Sequence, residues 1–161
     1  MRSGRHYAEF TLLEQTACFG VTRHDFDFQA EGFLYNQPGH CFFDASDGSR
    51  YPSRITLPAV GSQETIVVDT SGDWDGFFSP DQGDRVGMLL DIDQGTMTGY
   101  VNGTRRGVMM TRLSSEHQYC WAAELDSLGC SVRIDSPPAT PSPTEEEVGA
   151  AEAWLSIVCF Q

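Results

Sequence analysis

The chain has 161 residues, 40% of them apolar, which is enough for one domain with a substantial buried core. Its 23 acidic against 10 basic residues give a net charge of −13, so the surface field repels phosphate backbones and anionic headgroups. No nucleic acid and no membrane partner is therefore expected, and no apolar run approaches the ~18 residues of a membrane helix.

The N-terminal stretch "MRSGRHYAEFTLL" holds no uninterrupted apolar run of the kind a secretory signal needs. Cysteines stand singly at positions 18, 41, 120, 130 and 159, odd in number and without a Cys-x-x-Cys pair. They read as reduced, mostly buried thiols, and an intracellular location is expected.

Short apolar-alternating runs separated by glycine, aspartate, serine and proline predict strands rather than helices. In chain order these are 6–13, 18–22, 40–45, 65–69, 85–92, 97–101, 106–110, 119–125 and 130–134. No self-similar period links them, which sets aside propellers and solenoids and leaves an all-β, two-sheet antiparallel β-sandwich or jelly roll. After Ile134, "DSPPATPSP" cannot continue a hydrogen-bonded ladder because proline lacks the donor N–H. The β domain is accordingly expected over 4–135. Residues 136–161 read as a Pro-rich linker, a short C-terminal helix at about 143–154 and the apolar tail "LSIVCF". Ser142 as N-cap, Pro143 at the first helical position and Glu145 in a capping box mark the start of that helix.

The stretch "DIDQGTMTGYVNG" (91–103) offers two readings, a calcium loop or hairpin turns. An EF-hand needs an oxygen ligand at position 5, glycine at 6 and a carboxylate at 12. Counted from Asp91, those positions are Gly95, Thr96 and Asn102, and the flanks carry strand rather than helix periodicity. Asp-Gln-Gly at 93–95 and Asn-Gly at 102–103 are turn dipeptides, so 85–110 reads as a three-stranded meander.

The segment "GDRVGMLLDIDQGTMTGYVNGTRRGV" (83–108) closely resembles the signature of SPRY domains: a Gly-Asp-x-Val-Gly opening, an apolar strand ending in Asp-x-Asp-x-Gly, a tyrosine strand and an Asn-Gly turn. "GRHYAEFTLL" (4–13), "FGVTR" (19–23) and "YCWAAELDSLGCSVRI" (119–134) resemble the family's opening strand, second strand and closing pair, in that order. Ala8 stands where the family often has an aromatic, no separate PRY-type segment is visible, and "TSGDWDGFF" (70–78) has no counterpart in the pattern. The resemblance implies a concanavalin-like sandwich acting as a non-catalytic protein-interaction module, an adaptor that holds a short peptide of a protein partner in loops at one end. By position those loops are 23–31, 35–39, 70–82 and 126–129.

Within them Arg23, Tyr35, Trp74 and Leu128 are the candidate partner-binding residues, loop positions being where aromatic and arginine contacts are presented. For Arg23 the competing use is an ion pair with Asp25 or Asp27; for Trp74 and Tyr35 it is tucking under their own loops. Trp121 and Phe43 lie inside strands and read as core.

No catalytic residue, metal ligand or cofactor is assigned. His6, His24, His40 and His117 do not fall at metal-ligand spacings. Cys41 follows His40 directly, and adjacent strand residues face opposite ways. Asp91 and Asp93 lack the glutamates of a glycosidase strand and suit turn capping instead. A carbohydrate-binding or carbohydrate-active sandwich is the alternative, on architecture and loop aromatics alone. A monomeric domain is expected.

Overall fold

The computed structural model of the chain describes residues 1–13, 17–27, 29, 39–53, 55–58, 65–68, 74–125 and 130–135. Among them run eleven strands: β1 (Arg5–Leu12), β2 (Ala17–Arg23), β3 (His40–Asp44), β4 (Arg50–Pro52), β5 (Ile55–Pro58), β6 (Thr65–Val68), β7 (Arg85–Asp91), β8 (Thr96–Val101), β9 (Thr104–Met110), β10 (Tyr119–Leu125) and β11 (Val132–Asp135). They pair antiparallel as a five-stranded sheet, β11-β1-β7-β8-β9, a four-stranded sheet, β10-β2-β3-β4, and a separate β5-β6 hairpin. The architecture is the expected all-β two-sheet sandwich.

Alternation along each strand builds the core. On β1, Ala8, Phe10 and Leu12 point inward and are fully buried, while Tyr7, Glu9 and Thr11 face the other way. Phe10 stacks on Phe19 of β2 with centroids 4.5 Å apart, and Phe19 meets Phe43 of β3 at 5.6 Å. Val86, Met88 and Leu90 of β7 with Met97 of β8 complete the same inter-sheet cluster. Phe43 belongs to this core and Trp121 packs against it, as their strand positions suggest.

Two strands escape sequence reading. β4 is three residues long and ends in Pro52, which an edge strand tolerates because its missing donor faces away from the ladder. β5, "ITLP", is four residues long and is recognised only through its pairing with β6.

The meander folds as the turn chemistry requires. Gln94 N–H donates to Asp91 Oδ1 (2.9 Å), Gly4 N–H donates to Asp93 Oδ1 (2.9 Å), and Gly95 takes φ 65°. Asp91 also lies 3.6 Å from the Arg5 guanidinium. Residues 91–95 are therefore the turn of a hairpin, with these carboxylates engaged by backbone amides and an arginine. The second turn has Asn102 at φ 49° and Gly103 at φ 81°, the pair of positive values that a type I′ turn needs. The Asn102 amide then locks the corner, accepting from Arg85 N–H (3.0 Å) and donating to Asp84 (2.8 Å). The helix expected at 143–154 lies outside the described residues.

Strand register defines two ends. Arg23 pairs with Tyr119, Thr22 with His40, and Arg5 with Asp91 at one of them. Ala17 pairs with Leu125 and Leu12 with Val132 at the other. A seven-residue strand, about 20 Å, separates the two.

Candidate interaction surface

Arg23 closes β2 and opens a tight corner. Phe26 N–H donates to the Arg23 carbonyl (3.2 Å), and His24 N–H donates to the Gln118 carbonyl (2.9 Å), tying the corner to the segment that feeds β10. Arg23 N–H donates to the carbonyl of Gly39 (3.0 Å), and the arginine stem lies across that glycine: a Cβ at Gly39 would sit 2.3 Å from Arg23 Cδ. Gly39 is thus required twice, for its φ of 77° and for the space above it.

The guanidinium is gripped edge-on by Asp25, with Nε donating to Oδ1 (2.9 Å) and Nη2 to Oδ2 (2.5 Å). The Arg23 hydrogen bonds hold the Asp25 carboxyl below the usual carboxylate range. Of the two pairings available in the sequence, Asp25 is the one made. The fork engages two of five N–H groups, and the arginine side chain remains 21% exposed. Phe26, next in the corner, turns back onto β3, with its ring 5.2 Å from that of His40 and 6.2 Å from Phe42. His24, Asp25 and Asp27 are exposed around this hub.

Trp74, expected as a partner-binding aromatic, is not on the surface. It is 7% exposed and belongs to the inter-sheet core. Its Nε1–H donates to the Gly48 carbonyl (3.1 Å). The ring fills a slot that side chains would close: a Cβ at Gly76 would come 2.3 Å, and at Gly99 2.8 Å, from indole carbons. The glycines that cradle Trp74 lie as far along the chain as Gly107, where an added Cβ would still touch the ring at 3.4 Å, so its own neighbours could not announce its burial. Beside it Phe78 stacks on Phe43 (5.1 Å) beneath Arg106, and Phe77 is the exposed aromatic of this segment.

Tyr35 and Leu128 lie outside the described residues. The strand that feeds the 126–129 connection can nevertheless be placed. β10 ends at Leu125 opposite Ala17, about 20 Å from Arg23, so that connection departs from the end opposite the Arg23 corner. The loops grouped by sequence position do not all leave one end.

The remaining chemistry-bearing residues are dispersed. Cys41 is fully buried, and burial pushes its thiol up to about 12, which leaves it no thiolate to act as a nucleophile. His40 is equally buried, packed against Phe26 and Phe42. Among the described residues no cluster of three or more His, Cys, Asp or Glu could hold a metal ion. No described helix is long and apolar enough to cross a membrane. Cys120, one of the thiols read as mostly buried, is exposed, because it sits on the outward face of edge strand β10.

A two-sheet sandwich with a meander bearing these turns defines a class of protein. The family model of the SPRY domain matches residues 5–134, and the chain belongs to that family. SPRY domains are generally protein-interaction modules. Among solved structures, the SPRY domain of human HERC1 is similar at TM-score 0.57 and 15% identity, covering 87% of this chain and 79% of that one. Another human SPRY domain is similar at TM-score 0.53 and 21% identity, covering 80% and 74%. Sheep galectin-11 in complex with glycerol aligns at TM-score 0.35 and 17% identity, over 83% and 90%, a likeness too distant to argue from. No curated protein sequence matches the chain.

Proposed function

We propose that the chain is a non-catalytic module that captures a short peptide segment of a partner protein at the end bearing Arg23. What supports this is the preparation of that side chain. Its stem lies over Gly39 and its fork is held by Asp25, so the ordering cost of an arginine contact is met before a partner arrives. The guanidinium keeps N–H groups for a peptide carbonyl or carboxylate. The exposed Asp25 and Asp27 beside it, together with the net charge of −13, favour a polar or basic segment by steering. The alternative of sugar binding loses one of its two aromatic candidates, since Trp74 is buried. We take the domain to act as an intracellular monomer without metal or cofactor, none of its described cysteines being joined in a disulfide.

Selection from a displayed peptide library, followed by affinity measurement, tests the reading. Peptides enriched on the unaltered chain should bind Arg23→Ala and Tyr35→Ala at least tenfold more weakly, with circular dichroism unchanged. Leu128→Ala, on the connection that departs from the opposite end, distinguishes a surface confined to the Arg23 end from one that spans the sandwich. Normal binding by a folded Arg23→Ala variant would overturn the proposal.

A further inference from the structure

The two long sides of the sandwich are finished differently. Where β4 and β9 run side by side, the gap between the sheets is sealed: Trp74 and Phe78 fill it, and the Arg50 guanidinium donates across it to the Met109 carbonyl. Where β10 and β11 form the opposite edges, it is open. Pairing shows which of their residues face inward. Trp121, Ala123 and Leu125 share a side with the core residues Val21, Phe19 and Ala17, and Val132 and Ile134 share a side with Leu12 and Phe10. Trp121 closes on Phe10 from across the gap, with ring centroids 6.0 Å apart, so β10 and β11 flank one groove. All five inward positions are apolar, yet Leu125 is 46% and Ile134 44% exposed, Ala123 is exposed, and Trp121 and Val132 are only partly covered. Among the described residues, two of the four exposed large hydrophobic side chains, Leu125 and Ile134, thus belong to this one side.

We propose that this groove is the docking site of the chain's own C-terminal segment "AWLSIVCF" (153–160). The segment carries seven apolar residues in eight and no charge, which matches a groove whose inward positions carry none. It is also tethered beside the site: β11 ends at Asp135, one residue past Ile134, and 17 residues (136–152) separate it from the segment. Seventeen residues span at most about 55–60 Å when fully extended, so the length of the tether permits the segment to reach the groove. The groove, as long as a strand, is about 20 Å. Because it is tethered, the segment competes for the groove intramolecularly, at a higher effective concentration than a free apolar peptide would reach. An uncharged strand beside β11 also covers an edge that no other described strand pairs with.

Disulfide trapping in the full chain decides it. In a Cys120→Ser, Cys130→Ser background, Ile134→Cys places one thiol in the groove, and Cys159 is its reporter in the segment. Thr104→Cys, on the far edge strand β9, is the control position. Under mild oxidation followed by mass spectrometry of the digest, position 134 should cross-link to Cys159 at least tenfold faster than position 104, at a rate independent of protein concentration. Equal rates would overturn the proposal. A rate that rises with concentration would overturn it in favour of a second copy of the chain as the occupant. If Ile134→Cys fails to fold by circular dichroism, Leu125→Cys reads the same outcomes from the opposite wall.

Discussion

Replacing Trp74 by alanine separates a core role from a surface one by a wide margin. The indole is 7% exposed, packs against Gly76, Gly99 and Met109, and donates to the Gly48 carbonyl. An aromatic side chain buries about 150–250 Å², equivalent to roughly 4–6 kcal/mol of apolar transfer as an upper bound. Measured Trp→Ala changes in cores cost about 3–5 kcal/mol, and the lost hydrogen bond adds about 1 kcal/mol. We expect about 4 kcal/mol in denaturant unfolding followed by far-UV circular dichroism, or a fall in Tm of about 10–15 °C for a chain of this size. Trp74→Phe should recover about half of it. Gly99→Ala approaches the same site from the other side: its new methyl meets the ring at 2.8 Å and Met109 Sδ at 3.1 Å, and overpacking of this kind costs about 1–3 kcal/mol. Because the two residues touch, the Gly99→Ala penalty should shrink by about 1 kcal/mol or more in the Trp74→Phe background. An exposed binding aromatic would behave otherwise, since its loss changes stability by less than about 0.5 kcal/mol. A Trp74→Ala variant inside that limit would refute the reasoning.

Leu89→Ala should destabilise by about 2–3 kcal/mol in the same assay, the low half of the Leu→Ala range. Leu89 is 2% exposed but packs with Tyr7 and Tyr100 in a small cluster separate from the inter-sheet core; an unaltered denaturation midpoint would show that cluster to be dispensable. Among the described cysteines, native thiol labelling read by mass spectrometry of the digest should modify Cys120 first and leave Cys41 untouched, since one is exposed and the other buried with its thiol pushed up to about 12. Early labelling of Cys41 would mean that the β2-β3-β4 sheet opens readily. Acid should weaken the fold through Asp25 and Asp84, whose carboxyls are held low by hydrogen bonds from Arg23 and from Asn102. A depressed carboxyl stabilises above its unfolded value, about 3.9, and that contribution is lost as pH falls through the folded value. Asn102→Ala should flatten the loss of stability below pH 4, and an unchanged acid profile would show that Asp84 contributes nothing.

The sequence by itself determined the class of fold, most of the strands and the family, because each rests on short-range chemistry. Alternation decides which face of β1 holds Phe10 and Leu12, Asn-Gly admits the two positive φ values of its turn, and Pro52 and Pro58 obscure β4 and β5 for the same local reason. It also offered the partner of Arg23 as one of two nearby aspartates, since both lie within reach along the chain. What only the tertiary structure decided is which apolar residues are covered. Trp74 stands among Asp and Gly, as a loop residue does, and is buried because Gly99 and Gly107 from the meander and Gly48 from the β3–β4 turn leave room for an indole and accept its N–H. Leu125 and Ile134 read as strand interior and are exposed because their strands fall at the edges of different sheets. Burial is set by what arrives from elsewhere in the chain, and neither strand order nor the end from which a loop departs is written in a residue's own neighbours.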